Sequence, residues 1–567
     1  MKILLTTLNS KYIHSNLALK YLYESAGIYR EQIEIKEFTI NNDDMSIFME
    51  IMRGNYDLIC FSCYIWNISR IEGLIKDIKK AKPDTYIIVG GPEVSFETEK
   101  FLERNPEVDL VVKGEGDEVF FDVIRRFAEE EKSYEQVIIE APAAEEENIC
   151  FPYENSDIDP NKIVYYETAR GCPYRCSFCL SSVSRGVRLF SLDRVYRELD
   201  YFLKKKVKQV KFVDRTFNID LDRAAAIMNH IIDNDNGVTN FHFELCGDRM
   251  SEEMLSAFER ARTDLFQIEI GVQSAQPKVL EACNRKVDFE KLKENTRRIE
   301  AGRNVHVHLD LIAGLPYETF EMFADSFDQV YGLEPHDLQL GFLKLLKGTK
   351  LREEAEKYGY VYRDREPYEV ISNDHITSDE ILRLKMVEHV LELYFNKAGF
   401  RNTLKYILKE EGCTPFEFYS SLAEFYFSNG YHRAAQSRNA LYDIFWNYIT
   451  YRDCKNKEGL KELLLYDKIS SASTSQYSDK DRGDLVHEFL REEISRSGES
   501  IHAKDLIKKV NYMTFEFNVD EYCSEGKELK KMDEARLLVF FTDEKDAGGQ
   551  AACKRIYFDS EVNEIGK

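Results

Sequence analysis

The chain has 567 residues, 43% hydrophobic and 31% charged, proportions of an ordinary water-soluble protein of three or four domains at about 150 residues each. Its 77 Lys and Arg against 101 Asp and Glu leave a net charge of −24, which argues against a general nucleic-acid binder, because phosphate contacts need clustered basic side chains. No stretch reaches about 18 uncharged apolar residues, so no membrane span is expected, and the opening MKILLTTL lacks the apolar core and cleavage site of a signal peptide. Twelve cysteines without a secretory framework fit a reducing, cytoplasmic setting.

Residues 1–140 alternate short apolar strands with amphipathic helices. Strands are predicted near Ile3–Thr7, Ile33–Phe38, Leu58–Cys63, Tyr86–Val89 and Asp109–Val112, with helices between them, as from Leu17 and Ile68. Five strand–helix units in this order predict an α/β domain with a doubly wound parallel sheet, which binds ligands beyond the carboxyl ends of its strands. The GxGxxG dinucleotide fingerprint is missing after the first strand. The later strand ends carry SCY (Ser62–Tyr64), VGGPEVS (Val89–Ser95) and VKGEGDEVF (Val112–Phe120), which on the residues alone are glycine turns. Cys60 and Cys63 form a CxxC inside a strand, where an odd separation sends them to opposite faces, so no redox or metal pair is expected.

Residues 141–162 are acidic, hold three prolines and show no period, as a linker would. Over 163–365 the alternation resumes, with strands near 163–168, 208–213, 241–246, 266–271, 305–312 and 337–343. Leu192, Val195, Leu199 and Phe202 make one apolar helical stripe, and Ser191 is placed to cap that helix. Six βα units are too few for the eight-stranded barrel, so a partial, open (β/α)6 barrel is predicted. From 366 to 567 the pattern is mostly helical and aromatic, as in EFYSSLAEFYFSNGYH (Glu417–His432), and ends in a strand pair around RLLVFF and RIYFD.

The barrel strands alternate where doubly buried strands would be continuously apolar. Phe241, Phe243 and Leu245 oppose His242 and Glu244; Ile268, Ile270 and Val272 oppose Gln267, Glu269 and Gln273; Val305, Val307, Leu309 and Leu311 oppose His306, His308 and Asp310. The polar faces are expected to line a wet or ligand-filled lumen, since each unpaired buried polar group costs about 1–3 kcal/mol. A sheet with one solvated face is the alternative. His306 and His308 are read as substrate contacts or hydrogen-bonded histidines ahead of metal ligands.

Just after the first barrel strand, TARGCPYRCSFCLSS packs Cys172, Cys176 and Cys179 into eight positions. Structural zinc takes four ligands, and no further Cys or His pair follows at finger-like spacing. A cubane iron–sulfur cluster normally takes four thiolates, so three leave one iron open to a substrate or cofactor.

Cys172-x-x-x-Cys176-x-x-Cys179, with Phe178 before the last Cys, resembles the signature of radical S-adenosylmethionine (radical SAM) enzymes. The resemblance spans about residues 163–350. It implies a 4Fe-4S cluster on the three cysteines and S-adenosylmethionine chelating the open iron, cleaved by one electron to a 5′-deoxyadenosyl radical. Contacts to S-adenosylmethionine are expected at Phe178, Asp214, Glu244, Gln273, Ile312 and Gly314. Asp214 lies in KFVDRTFN, where many members have Gly-Gly-Glu and this chain lacks the glycines; IEIGVQS holds Gln273 and DLIAGLP holds Ile312 and Gly314. LLKGTKL, with Gly348 and Thr349, resembles a segment that often follows the sixth strand.

The front domain resembles the cobalamin-binding domain found ahead of many such enzymes. Cobalamin contacts are then expected at Ser62, Tyr64, Trp66, Asn67, Gly90, Gly91, Pro92, Glu93, Gly114, Glu115 and Gly116. Relatives that ligate cobalt carry Asp-x-His-x-x-Gly after the first strand. Here LNSKYIHSNLALK has His14 but Tyr12 and Leu17 at the flanking positions. No histidine is therefore expected below cobalt, and Tyr64, Ile65, Trp66 or Asn67 is placed to face that side. The C-terminal region resembles an uncharacterised domain of such enzymes and is expected to close the open side of the barrel.

The resemblance implies an enzyme methylating a poorly activated carbon of a small-molecule substrate through the deoxyadenosyl radical and methylcobalamin, with flavodoxin or ferredoxin as electron donor. Rival readings are a non-methylating cyclisation or ring rearrangement, a tRNA methylthiotransferase, and a cofactor-binding sensor. The methylthiotransferase would need three cysteines in the front domain, which offers Cys60 and Cys63 alone.

Overall fold

The computed structural model describes residues 1–129, 137–183, 186–397, 399–472, 474–497, 507–545 and 551–557. The front sheet holds β1 (Ile3–Asn9), β2 (Ile33–Thr39), β3 (Leu58–Ser62), β4 (Tyr86–Gly90), β5 (Leu110–Gly114) and β6 (Val137–Ala141), all parallel in the order β2-β1-β3-β4-β5-β6. Every residue of β1 and β3 is buried, because helices cover both faces of the central strands. Leu4, Leu8, Ile59 and Cys63 pack into one helix layer, and Ile3, Leu5, Leu58 and Cys60 into the other. The two cysteines thus lie on opposite faces, as their odd spacing requires. The strand order reverses between β1 and β3, which opens a crevice beyond their carboxyl ends. β6 is a strand that the sequence reading did not predict. It is a half-exposed edge strand of five residues, too short and too one-sided to leave a periodic signal.

The second sheet begins with β7 (Val164–Tyr166). The hairpin of β8 (Ala169–Gly171) and β9 (Val187–Leu189) follows and brackets the cysteine loop. Then come β10 (Gln209–Phe212), β11 (Asn240–Leu245), β12 (Phe266–Gln273), β13 (His306–Ala313) and β14 (Asp337–Phe342), which with β7 form a parallel sheet in simple chain order. β12 and β13 alternate buried and half-buried positions along their whole length. Their apolar faces pack on the surrounding helices. The polar faces approach one another as charge pairs: Lys211 Nζ and His242 Nε2 each lie 3.3 Å from Glu269 Oε2, His308 Nε2 is 3.0 Å from Asp310, and His306 Nε2 is 2.9 Å from Asp337, while His242 Nε2, His308 Nε2 and Gln273 Oε1 make no hydrogen bond of their own. Both barrel histidines of β13 are therefore engaged by carboxylates. Ser191 stands at the start of the helix Leu192–Lys205, but its hydroxyl makes no capping bond. Its backbone N–H donates instead to Glu146 (2.6 Å), which fixes the chain entry from outside the helix.

A short hairpin, β15 (Val361–Tyr362) with β16 (Val370–Ser372), leads into the C-terminal helices. These end in an antiparallel meander of β17 (Val510–Phe517), β18 (Lys531–Lys545) and β19 (Ala551–Tyr557). The predicted strand pair is thus joined by a third strand, and the last residues of RIYFD lie outside the described residues. A π-helical turn, Glu392–Asn396, meets the free edge of β14, where the Asn396 amide accepts from Leu338 N (3.0 Å) and donates to Leu338 O (3.1 Å). That contact covers the edge strand of the open barrel. Among the described residues no helix is long and apolar enough to cross a membrane.

Candidate functional site

Cys172, Cys176 and Cys179 line one cavity of about 270 Å³ at the carboxyl ends of the barrel strands. The loop is pinned from three sides. Ser177 N donates to Cys283 O (2.9 Å), Leu351 N donates to Ser177 O (2.8 Å), and Asn284 Nδ2 donates to Arg175 O (2.9 Å). Arg285 Nη1 lies 3.7 Å from Cys176 Sγ, so a cation faces sulfur that would carry negative charge as a ligand. Burial pushes the Cys176 thiol pKa up, against the downward pull of Arg285. Among the described residues no three His, Cys, Asp or Glu side chains converge on a single ion position. The thiols instead share one cavity wall, which fits a multinuclear cluster held by three ligands with an open corner.

Phe178, Glu244 and Gln273 line this cavity as expected. Asp214 does not: it lies buried beneath the loop, accepting from Thr168 N (2.6 Å), Ala169 N (3.1 Å) and the Thr168 hydroxyl. Burial pushes its carboxyl up to about 7, against the downward pull of the Thr168 and Ala169 hydrogen bonds. Asp214 therefore ties the end of β10 to the segment that leads into the cysteine loop. Ile312 and Gly314 are also absent from the wall. The Gly314 carbonyl accepts from Tyr360 OH (2.9 Å) and Asn373 Nδ2 (3.1 Å), which spends that segment on the C-terminal hairpin. Arg215, Thr216, Cys246 and Arg285 line the cavity and were not singled out in the sequence. Arg215 directly follows Asp214 in KFVDRTFN but was not read as a site residue; Arg285 reaches the cysteines from a turn more than a hundred residues away and left no local signal.

A second cavity, of about 450 Å³, lies between the carboxyl ends of the front sheet and the barrel. Ser62, Tyr64, Gly90, Gly91, Pro92, Gly114, Glu115 and Gly116 line it, as expected, and Glu167, Arg170, Val213 and Arg215 face them from the barrel. Two glycines on its wall pack tightly on neighbouring backbone. A Cβ at Gly91 (φ +110°) would stand 2.4 Å from Cys63 O, and one at Gly114 (φ +98°) 2.8 Å from Ala141 O. At these two positions the strand ends pass too close to neighbouring backbone for any side chain, which leaves a wall of bare backbone suited to the close approach of a large cofactor.

Three expected contacts are spent elsewhere. Trp66 stacks on Tyr64 (centroids 4.5 Å apart, planes at 4°) and donates from Nε1 to Leu8 O (3.0 Å). Asn67 is buried and donates to Thr7 Oγ1, Leu8 O and Ser62 O. Glu93 is buried against Lys347 Nζ (3.1 Å) and accepts from Tyr368 OH (2.9 Å), so it joins the two domains. Glu115, although on the wall, is bound by Arg188 and Arg170 and by Ala144 N. His14 is absent from the wall, and its Nδ1 is 2.5 Å from Tyr165 OH at the domain junction. Burial, then Lys11 and Lys211, lowers its pKa.

A cobalamin-type α/β domain on an open six-stranded barrel with a three-cysteine loop defines the class, and comparison with known proteins agrees. Residues 3–124 match the B12 binding domain, 166–330 the radical SAM superfamily, and 356–541 a family described as a protein of unknown function (DUF4080). The chain thus carries a B12-binding domain ahead of a radical SAM domain. It is 27% identical over 341 residues to the cobalamin-dependent radical SAM methyltransferase TokK of Streptomyces tokunonensis, covering 53% of this chain and 49% of TokK. The chain thus spans about half the length of that relative. OxsB, a cobalamin-dependent S-adenosylmethionine radical enzyme, superimposes with a TM-score of 0.54 at 15% identity, over 89% of this chain and 82% of OxsB. The radical S-adenosylmethionine methyltransferase TsrM of Kitasatospora setae gives 0.53 at 17% identity, over 65% and 80%. At these identities the two structures speak for the fold.

Proposed function

We propose that this protein is a cobalamin-dependent radical SAM enzyme that methylates a poorly activated carbon of a small-molecule substrate. The observation that carries this reading is the meeting of two cavities, one walled by Cys172, Cys176 and Cys179 and the other floored by Gly91 and Gly114, at the junction of the two domains. The three cysteines would hold a 4Fe-4S cluster, and Phe178, Glu244 and Gln273 would contact S-adenosylmethionine. Ser62, Tyr64, Gly90, Gly91, Pro92, Gly114 and Gly116 would border the cobalamin, with Tyr64 backed by Trp66 and no histidine below the metal. When bound, these cofactors supply a carbon-centred radical and a transferable methyl group; the protein orients them and shields them from water.

The chain's own side chains hold the reaction zone rigid. Asp214 anchors the approach to the cysteine loop, and the Glu93–Lys347 pair fixes the front domain against the barrel. An acidic electron carrier such as flavodoxin, or a ferredoxin, would deliver the electron.

Anaerobic reconstitution with iron, sulfide and cobalamin tests the reading. The expected result is about four irons and one cobalamin per chain, and deuterated methyl from S-adenosylmethionine appearing in the product of a reaction with cell extract. About eight irons would point to a methylthiotransferase. Deoxyadenosine without label transfer would point to a ring-forming or rearranging enzyme, and zinc at the loop would overturn the proposal.

A further inference from the structure

We infer that Arg215 is the substrate anchor of this enzyme, and that the substrate carries an anionic group, carboxylate or phosphoryl, beside the carbon that reacts. The inference rests on the cobalamin-dependent reading above. Arg215 is the one described residue that lines both cavities. A molecule acted on from both sides must pass its guanidinium.

The other cations of the two walls are already spent. Arg170 is bound by Glu167 (2.6 Å), Glu115 (3.0 Å) and Asp117, and lies over the Tyr21 ring. Arg285 is held by Gly271 O and faces Cys176. Beside the walls, Arg188 is bound by Glu115, and Lys211 by Glu269. The Arg215 side chain is exposed and makes no hydrogen bond or ion pair among the described residues, although its charge acts on nearby Glu244. Yet Glu244, Glu269 and Asp310 stand on the same wall, and the chain holds 24 more acidic than basic residues. An exposed guanidinium with no direct ion pair is open to a ligand from the cavity mouth, and its planar fork suits carboxylate and phosphate oxygens.

The base beneath Arg215 is rigid, as a binding group requires. Asp214 is locked to the backbone of Thr168 and Ala169. The Thr216 hydroxyl donates to the Arg215 carbonyl (2.7 Å), and Phe217 is buried against Phe243 (centroids 4.2 Å). The guanidinium thus projects from a fixed turn at the mouth between the two cavities.

The test uses the full-length holoprotein, loaded with cluster and cob(II)alamin, and two probes in separate arms: inorganic phosphate and acetate. Paramagnetic relaxation of the phosphorus and methyl nuclei reads each probe's approach to the metal centres. The expected result is a clear enhancement in the native protein, at least fivefold weaker in Arg215→Met and intermediate in Arg215→Lys, with iron and cobalamin per chain unchanged. The arm with the stronger enhancement identifies the substrate's anion. No enhancement in the native protein, or equal enhancement in native and Arg215→Met, would overturn the inference. So would a folded Arg215→Met protein that loses cobalamin or no longer retains S-adenosylmethionine in equilibrium dialysis, because the arginine would then serve a cofactor. If Arg215→Met does not fold, Arg215→Lys decides, with an enhancement equal to the native protein's counting against the inference. Failure of the native protein to take up both cofactors would instead strike the cobalamin reading, at the loading step.

Discussion

The front sheet and the barrel sheet are both six-stranded and parallel, yet they spend their side chains differently. β1 and β3 are buried at every position, whereas β12 and β13 alternate. A sheet flanked by helices on both faces has room for a ligand only at its strand ends, so its binding floor is made of glycines and turns. A sheet curled around a lumen turns one face inward, and there polar side chains are tolerated because they pair, as Glu269 does with Lys211 and His242. The same topology therefore yields a slot defined by what is absent in one half and a pocket defined by charge in the other.

Four substitutions bear on this contrast, from the largest effect to the smallest. Cys172→Ala should drop iron from about four per chain to near background and abolish deoxyadenosine formation, while cobalamin uptake persists. Loss of both cofactors together would mean that the two halves do not bind independently. Lys347→Met leaves the buried Glu93 unpaired and should cost about 3–5 kcal/mol in urea unfolding. The double change Lys347→Met with Glu93→Leu should recover most of that; no recovery would show that the pair does not bind the halves together.

Glu318 in the barrel half is fully buried, with Ser274 Oγ at 2.6 Å as donor to one oxygen. Burial pushes its carboxyl up to about 8. The folded state then holds a proton that the unfolded chain gives up near pH 4.3, so stability falls as pH rises from about 4.3 to 8. Glu318→Gln should remove that slope, a difference of about 4–5 kcal/mol by pH 8, readable from urea midpoints across the range. Parallel profiles for the two proteins would refute it. Gly91→Ala in the front half should cost about 1–3 kcal/mol, because its φ of +110° and the Cys63 carbonyl 2.4 Å from the new Cβ both oppose it. Cobalamin uptake should fall at least tenfold with cluster iron unchanged, and unaltered uptake would place the cofactor's tail elsewhere.

Much of this arrangement was legible in the chain. The alternation of β11, β12 and β13 announced a polar lumen, and Cys60 and Cys63 were assigned to opposite faces from their spacing alone. The thiol loop, and the glycines after β4 and β5, were read where they stand. The partners of Trp66, Asn67 and Glu93 were not legible, since nothing local announces that a side chain will meet Leu8 or Lys347. Asp214 and Gly314 were placed at S-adenosylmethionine by position in a motif; within the fold Asp214 accepts from Thr168 and the Gly314 carbonyl from Tyr360, neighbours that no local pattern announces.

The amino-acid order by itself determined the period of each strand, the thiol spacing and the positions where a backbone must turn without a side chain, because these are local properties of a few neighbouring residues. The tertiary structure alone decided which charges are consumed and which are left over. Arg170 and Arg215 look alike in the sequence; one is ion-paired with three carboxylates brought from Glu115, Asp117 and Glu167, and the other shares a wall with Glu244 without a direct ion pair, and that difference exists only once distant segments have packed.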